Sequence, residues 1–269
     1  MARLRFSDAC GMTEVKDQAS VRRHSGAMKR LTEYAVLVVA LTLPFWLAGA
    51  LVDTQLMPGL PIAALAVFVP TLAAAIVLAS AEGRATLAIL FRRAAEIRRL
   101  PLWGYLFAAT LPAGIAGVGW YSLYLRGEAV HFVLPAVAVV PLAVLLIGAA
   151  LLEEFGWTGF ATDRLSARFG LVRGALVLGL GWAVWHYPTL VEAHRGVAWI
   201  AWWTVWTVSQ RVAMVSLYKR TGSNLWAPVI FHASANLVWQ LAPDAFDPMF
   251  QGLAAGAVAV ALMLARPRE

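Results

Sequence analysis

Eight apolar stretches decide what this chain can fold into. They cover residues 33–52, 60–80, 103–125, 132–154, 171–190, 196–217, 224–241 and 248–265. Each is roughly 18–25 residues long, the length an α-helix needs to cross a hydrocarbon core about 30 Å thick. In lipid, each backbone N–H and C=O must find a partner within the protein, which restricts spanning structure to helices and closed barrels. The runs are continuous rather than alternating, which selects helices. The predicted fold is therefore all-α, a polytopic membrane protein with about eight transmembrane helices. Composition agrees, because the chain is 61% hydrophobic and only 14% charged, where a soluble domain carries about a quarter charged residues.

The basic residues set an orientation. With the N-terminus inside, the inner segments hold Arg3, Arg5, Lys16, Arg22, Arg23, Lys29 and Arg30, then Arg84, Arg92, Arg93, Arg98 and Arg99. They also hold Arg164, Arg168 and Arg173, then Lys219 and Arg220, and finally Arg266 and Arg268. Only Arg126 and Arg195 fall outside; Arg173 sits at the inner edge of the fifth stretch, and Arg211 alone lies deep within one. Positive residues stay on the cytoplasmic side, so both termini are expected there. The net charge of +7 is spread between the apolar runs rather than gathered in one patch, which argues against a nucleic-acid partner. The lipid bilayer is the partner the charge distribution fits.

Residues 1–30 are polar and basic and lack the apolar core of a signal peptide. They are expected to form a cytoplasmic, disordered arm ahead of a transmembrane domain at 31–269. The single cysteine, Cys10, excludes an intrachain disulfide and a cysteine-rich metal site. Leu87 to Leu100 alternates apolar and Arg residues at helical spacing, which fits an amphipathic helix on the inner membrane surface or a solvated basic loop.

Ionisable groups inside an apolar span are costly and usually functional. The fourth stretch ends in Glu153-Glu154, the fifth holds Trp182 and His186 four residues apart, and the seventh holds His232 and Asn236 four residues apart. At a helical rise of about 1.5 Å per residue, Glu153 lies about 16 Å from Arg164, His186 about 20 Å from Arg173, and His232 about 18 Å from Arg220. Three helices thus place polar groups near one depth, where they can meet in one cavity. A desolvated carboxylate beside imidazoles can deprotonate water, and imidazole or amide N–H groups can receive an oxyanion. Glu153, His186 and His232 also suit a divalent metal such as zinc with one open position. The H-E-x-x-H signature is absent. The same residues fit a proton-coupled transporter, although no internal repeat supports one.

In order and spacing, these segments resemble the CPBP family of intramembrane proteases, named for CAAX prenyl proteases and bacteriocin-processing enzymes. The family pattern is E-E-x-x-x-R, F-x-x-x-H and H-x-x-x-N. Here the parts read Glu153-Glu154-Phe-Gly-Trp-Thr158, Trp182-Ala-Val-Trp-His186 and His232-Ala-Ser-Ala-Asn236, within a core of 150–240. The resemblance implies an endopeptidase of the bacterial inner membrane acting on a membrane-associated protein or peptide. It implies Glu153 as the water-activating base, Glu154 in support, and His186, His232 and Asn236 positioning water and oxyanion. Both glutamate-type and metal-dependent chemistry are implied within the family. Two residues depart from the pattern, Trp182 for Phe and Thr158 for Arg. Arg211, alone in the sixth stretch, is the candidate for the missing cation. Without such a replacement, Thr158 would fit a non-catalytic immunity or scaffold protein.

Overall fold

The computed structural model describes residues 6–52, 55–57 and 60–265. The architecture is a helical bundle, with one small antiparallel ladder pairing β1 (Gln55–Met57) and β2 (Leu60–Pro61). The helices are α1 (Phe6–Leu51), α2 (Val69–Ala81), α3 (Arg84–Arg92), α4 (Leu102–Leu125) and α5 (Ala136–Gly156). They continue with α6 (Asp163–Phe169), α7 (Leu171–Glu192), α8 (Val197–Arg220), α9 (Trp226–Leu241) and α10 (Pro248–Leu264). A 3₁₀ segment, Ile62–Phe68, leads into α2, and another, Arg93–Arg99, extends α3.

Five helical segments are long and apolar enough to cross a membrane: Gly26–Leu51, Ile62–Ala81, Leu102–Leu125, Ala136–Phe169 and Leu171–Glu192. This is a polytopic membrane protein. The last three predicted stretches are helices too, but of a different kind. The middle of α8 carries Ser209, Gln210 and Arg211, and its residues from Ser209 to Tyr218 are all buried. It packs between α7 and α10, so protein rather than lipid surrounds those polar groups. At 16 and 17 residues, α9 and α10 are slightly short for a full crossing, and α9 packs on α4 and α5. By contrast α5 turns Val137, Val140, Val144 and Leu145 outward, an apolar face suited to acyl chains.

Two boundaries differ from expectation. The fourth stretch does not end at 154. It runs through a π-helical turn, Trp157–Thr162, into α6, making one helical segment to Phe169. The first helix, α1, starts at Phe6 rather than near residue 33, and no proline interrupts it before Pro44. Of the two readings for Leu87–Leu100, the helical one applies. Leu90 and Leu100 are buried while Arg92, Arg98 and Arg99 are exposed. Arg93 turns in to bond the Gly159 carbonyl at 3.2 Å and the Tyr218 hydroxyl at 2.8 Å.

Polar ties hold the bundle around the α5 end. Glu82, just past α2, accepts from Arg164 at 2.7 Å and pairs with Arg30 of α1. Burial by itself pushes the Glu82 carboxyl up, but the two guanidiniums outweigh it and hold the group below its ordinary range. Thr71 of α2 donates to the Leu152 carbonyl, and the Trp185 indole donates to Thr42 of α1 at 2.8 Å.

Gly156 closes the α2–α5 contact. A Cβ there would overlap the backbone carbonyl of Pro70, which cannot rotate away. Gly148, one helix with it, faces open space. Gly156→Ala should therefore lower stability by about 1–3 kcal/mol, the usual cost of overpacking. Gly148→Ala should not destabilise, and thermal unfolding in detergent would show the contrast; equal behaviour of the two would contradict the packing.

Candidate active site

Adjacent residues on an α-helix point about 100° apart, so Glu153 and Glu154 reach different surroundings. Glu154 is fully buried. Its Oε2 accepts from Arg211 Nη1 at 2.7 Å and from the Thr158 hydroxyl one turn along. Its Oε1 lies 3.1 Å from His232 Nδ1. The group therefore ties α5 to α8 and α9. Arg211 is itself fully buried, its guanidinium stacked on the Trp182 ring with Cζ 4.0 Å from the centroid.

Thr158 and Arg211 account for the departure at the motif's arginine position. The hydroxyl of Thr158 donates to the carboxylate oxygen that Arg211 also holds. The cation comes from another helix, as a lone Arg in an apolar run leads one to expect.

Glu153 is 7% exposed. Both of its hydrogen bonds fall on Oε2, from Trp182 Nε1 at 3.1 Å and Trp157 Nε1 at 3.3 Å. Among the described residues no donor reaches Oε1. An indole N–H donates without carrying charge. Glu153 is thus oriented by two neutral donors, whereas Glu154 is neutralised by a cation.

His186 lies 2.7 Å from the Trp182 carbonyl through Nδ1. A carbonyl only accepts, so Nδ1 carries the hydrogen and Nε2 of the neutral ring keeps its lone pair. The Trp182 ring meets His186 edge-on at 5.3 Å and His232 at 5.0 Å between centroids. Trp182 is therefore the residue that Glu153, His186, His232 and Arg211 all touch. The sequence pattern marked it only as an apolar wall replacing Phe, and its Nε1 donor role was missed. Its position four residues before His186 was the available signal. Trp157 was missed as well, though it stands four residues after Glu153 on the same face. Tyr34, on α1, is a third; its buried hydroxyl has no partner among the described residues, and its ring packs on Trp157 and Phe160.

Asn236 lies one turn beyond His232 on the same face of α9 and is half-buried. Glu153, His186 and His232, the set that would hold a metal, do not form one as they stand. Among the described residues no three His, Cys, Asp or Glu side chains are grouped to bind an ion.

The hydroxyl of Thr158 should matter through Glu154. Thr158→Val keeps the shape and removes one hydrogen bond to a buried carboxylate, a loss of about 1–3 kcal/mol. Thr158→Ser should retain most of the stability. Equal unfolding free energies for Thr158→Val and wild type would contradict the bond.

Residues 135–238 match the family model described as Type II CAAX prenyl endopeptidase Rce1-like. A stretch of 51 residues is 41% identical to CAAX prenyl protease 2 of Methanococcus maripaludis. That alignment covers 19% of this chain and 19% of the relative. The matched region holds Glu153, Glu154, His186, His232 and Asn236. By that match and by its three motifs, this chain is similar to the Rce1-like members of the CPBP family over residues 135–238.

Proposed function

We propose that the chain is an intramembrane endopeptidase that hydrolyses a peptide bond of a membrane-associated protein or peptide, with Glu153 activating water. The observation that carries this is the unequal treatment of two neighbouring carboxylates. Glu154 is neutralised by Arg211 and braced by Thr158 and His232, while Glu153 is held by indole donors on one oxygen only. A general base needs a fixed position and a free oxygen, and Glu153 has both.

In the first step Glu153 Oε1 takes a proton from water, the water oxygen bonds to the scissile carbonyl carbon, and the carbonyl π pair moves onto oxygen. The Asn236 amide, one turn from His232, receives that oxyanion in this reading. The His186 Nε2 lone pair accepts the second hydrogen of the attacking water and so orients it. In the second step the C–N bond breaks and the proton on Glu153 passes to the departing amine. Trp182 and Trp157 keep the Glu153 carboxylate aligned throughout. This reading routes no step through a metal; among the described residues the side chains are not grouped as ligands. The positive-inside distribution supports both termini at the cytoplasmic face of an inner membrane. A non-catalytic immunity or scaffold role drew its case from the lost motif cation, and the Arg211–Glu154 pair supports the catalytic reading instead.

Glu153→Gln keeps the size and the Trp bonds but cannot take a proton. Purified in detergent and assayed on membrane-anchored peptides, it should lose about 10²–10⁴-fold in kcat, the usual contribution of a general base. Chelators should leave the wild type active. Equal cleavage by wild type and variant would remove the mechanism, and chelator inactivation reversed by zinc would replace it with a metal-dependent one.

A further inference from the structure

We propose that Trp203, Thr207 and Arg211 hold a row of internal water molecules that supplies the hydrolytic water to the site beside Glu153. The inference rests on the endopeptidase reading above.

The three residues lie four apart on α8 and so share one face, separated by about 6 Å per step along the axis. All three are buried. Each carries hydrogen-bonding atoms with no partner among the described residues: Trp203 Nε1, Thr207 Oγ1, and both Nε and Nη2 of Arg211. Arg211 Nη1 is bound to Glu154, and Trp182 covers one guanidinium face. The unpartnered edge is the Nε–Nη2 fork. At one end of the row the Trp203 ring lies 5.5 Å from His186. At the other, Trp182 joins Arg211 to Glu153. The row therefore meets the site at both ends.

An indole N–H and a guanidinium only donate, so the occupant must present acceptor oxygens. An anion is disfavoured, because Glu153 and Glu154 already set two carboxylates against one guanidinium. A substrate backbone is too large, because α7 and α8 approach closely here. A Cβ on Gly179 would sit 3.1 Å from Val208 Cα and 3.3 Å from Arg211 Cβ. Water fits by its chemistry: it both donates and accepts, so one small molecule can serve an indole N–H, a hydroxyl and a guanidinium in turn. Each such water then has at least two polar partners, as buried waters require. Thr207 both donates and accepts, so it links the water above to the water below. Each turnover consumes one water inside an apolar membrane, and this row keeps the next one at hand.

The test uses the full chain in micelles and two readouts. In X-ray radiolytic labelling with ¹⁸O-water, buried Trp203 should be labelled at a rate close to that of an exposed Trp. Thr207→Val should suppress this labelling, and Thr207→Ser should restore it. On a membrane-anchored peptide, Thr207→Val should lower kcat about tenfold, the worth of one hydrogen bond, with KM unchanged. Absent labelling of Trp203 in the wild type would overturn the proposal. So would an unchanged kcat in Thr207→Val, or a raised KM at constant kcat, which would assign the row to substrate carbonyls. The labelling does not depend on turnover. A wild type that fails to cleave yet labels Trp203 would sink the endopeptidase reading while leaving the waters in place.

Discussion

A fully buried carboxylate in a lipid-embedded bundle is tolerable only when its charge is answered, and Glu154 with Arg211 is that answer. Both side chains are out of contact with solvent, so neither is affordable alone. Their bond fixes α8 against α5, and His232 adds α9 to the same carboxylate. The polar middle of α8 follows from this. A helix carrying Ser209, Gln210 and Arg211 has to sit at the centre of the bundle, where α7 and α10 shield it.

With Glu154 occupied, its neighbour is released for other work. The helical rotation between consecutive residues turns Glu153 toward Trp157 and Trp182, which orient it without adding charge. Trp182 then couples the two halves of the site, bonding Glu153 by its nitrogen, stacking under Arg211 and meeting both histidine rings with its edges. The helices outside the Rce1-like segment supply the enclosure. Tyr34 packs on Trp157 and Phe160 from α1, and Thr42 holds Trp185.

Much of this was legible in the sequence because lipid enforces simple rules. Apolar runs of spanning length had to be helices, and the costly residues inside them, Glu154, His232 and Arg211, do meet. What was illegible depended on neighbours rather than on composition. Hydropathy treats α8 as a weak span, because it does not register that α7 and α10 replace lipid around Arg211. Thr158 looked like a lost cation; only the helical turn shows its hydroxyl reaching the carboxylate Arg211 holds. Trp182 looked like a substitute for Phe, since nothing in an indole's apolar bulk announces where its N–H will point. The helix continues past the predicted end at 154 because Trp157, Phe160 and Ala161 are buried, so the bundle keeps that segment coiled.

A double-mutant cycle on Glu154 and Arg211 tests the central claim most directly. Unfolding free energies of wild type, Glu154→Leu, Arg211→Leu and the double variant would be measured in one detergent. Each single variant strands a buried charge and should lose about 3–5 kcal/mol. The double variant should recover most of that loss, giving a coupling of at least about 2 kcal/mol. Additive losses would mean that the two charges do not depend on each other, and that something else holds α5, α8 and α9 around the site.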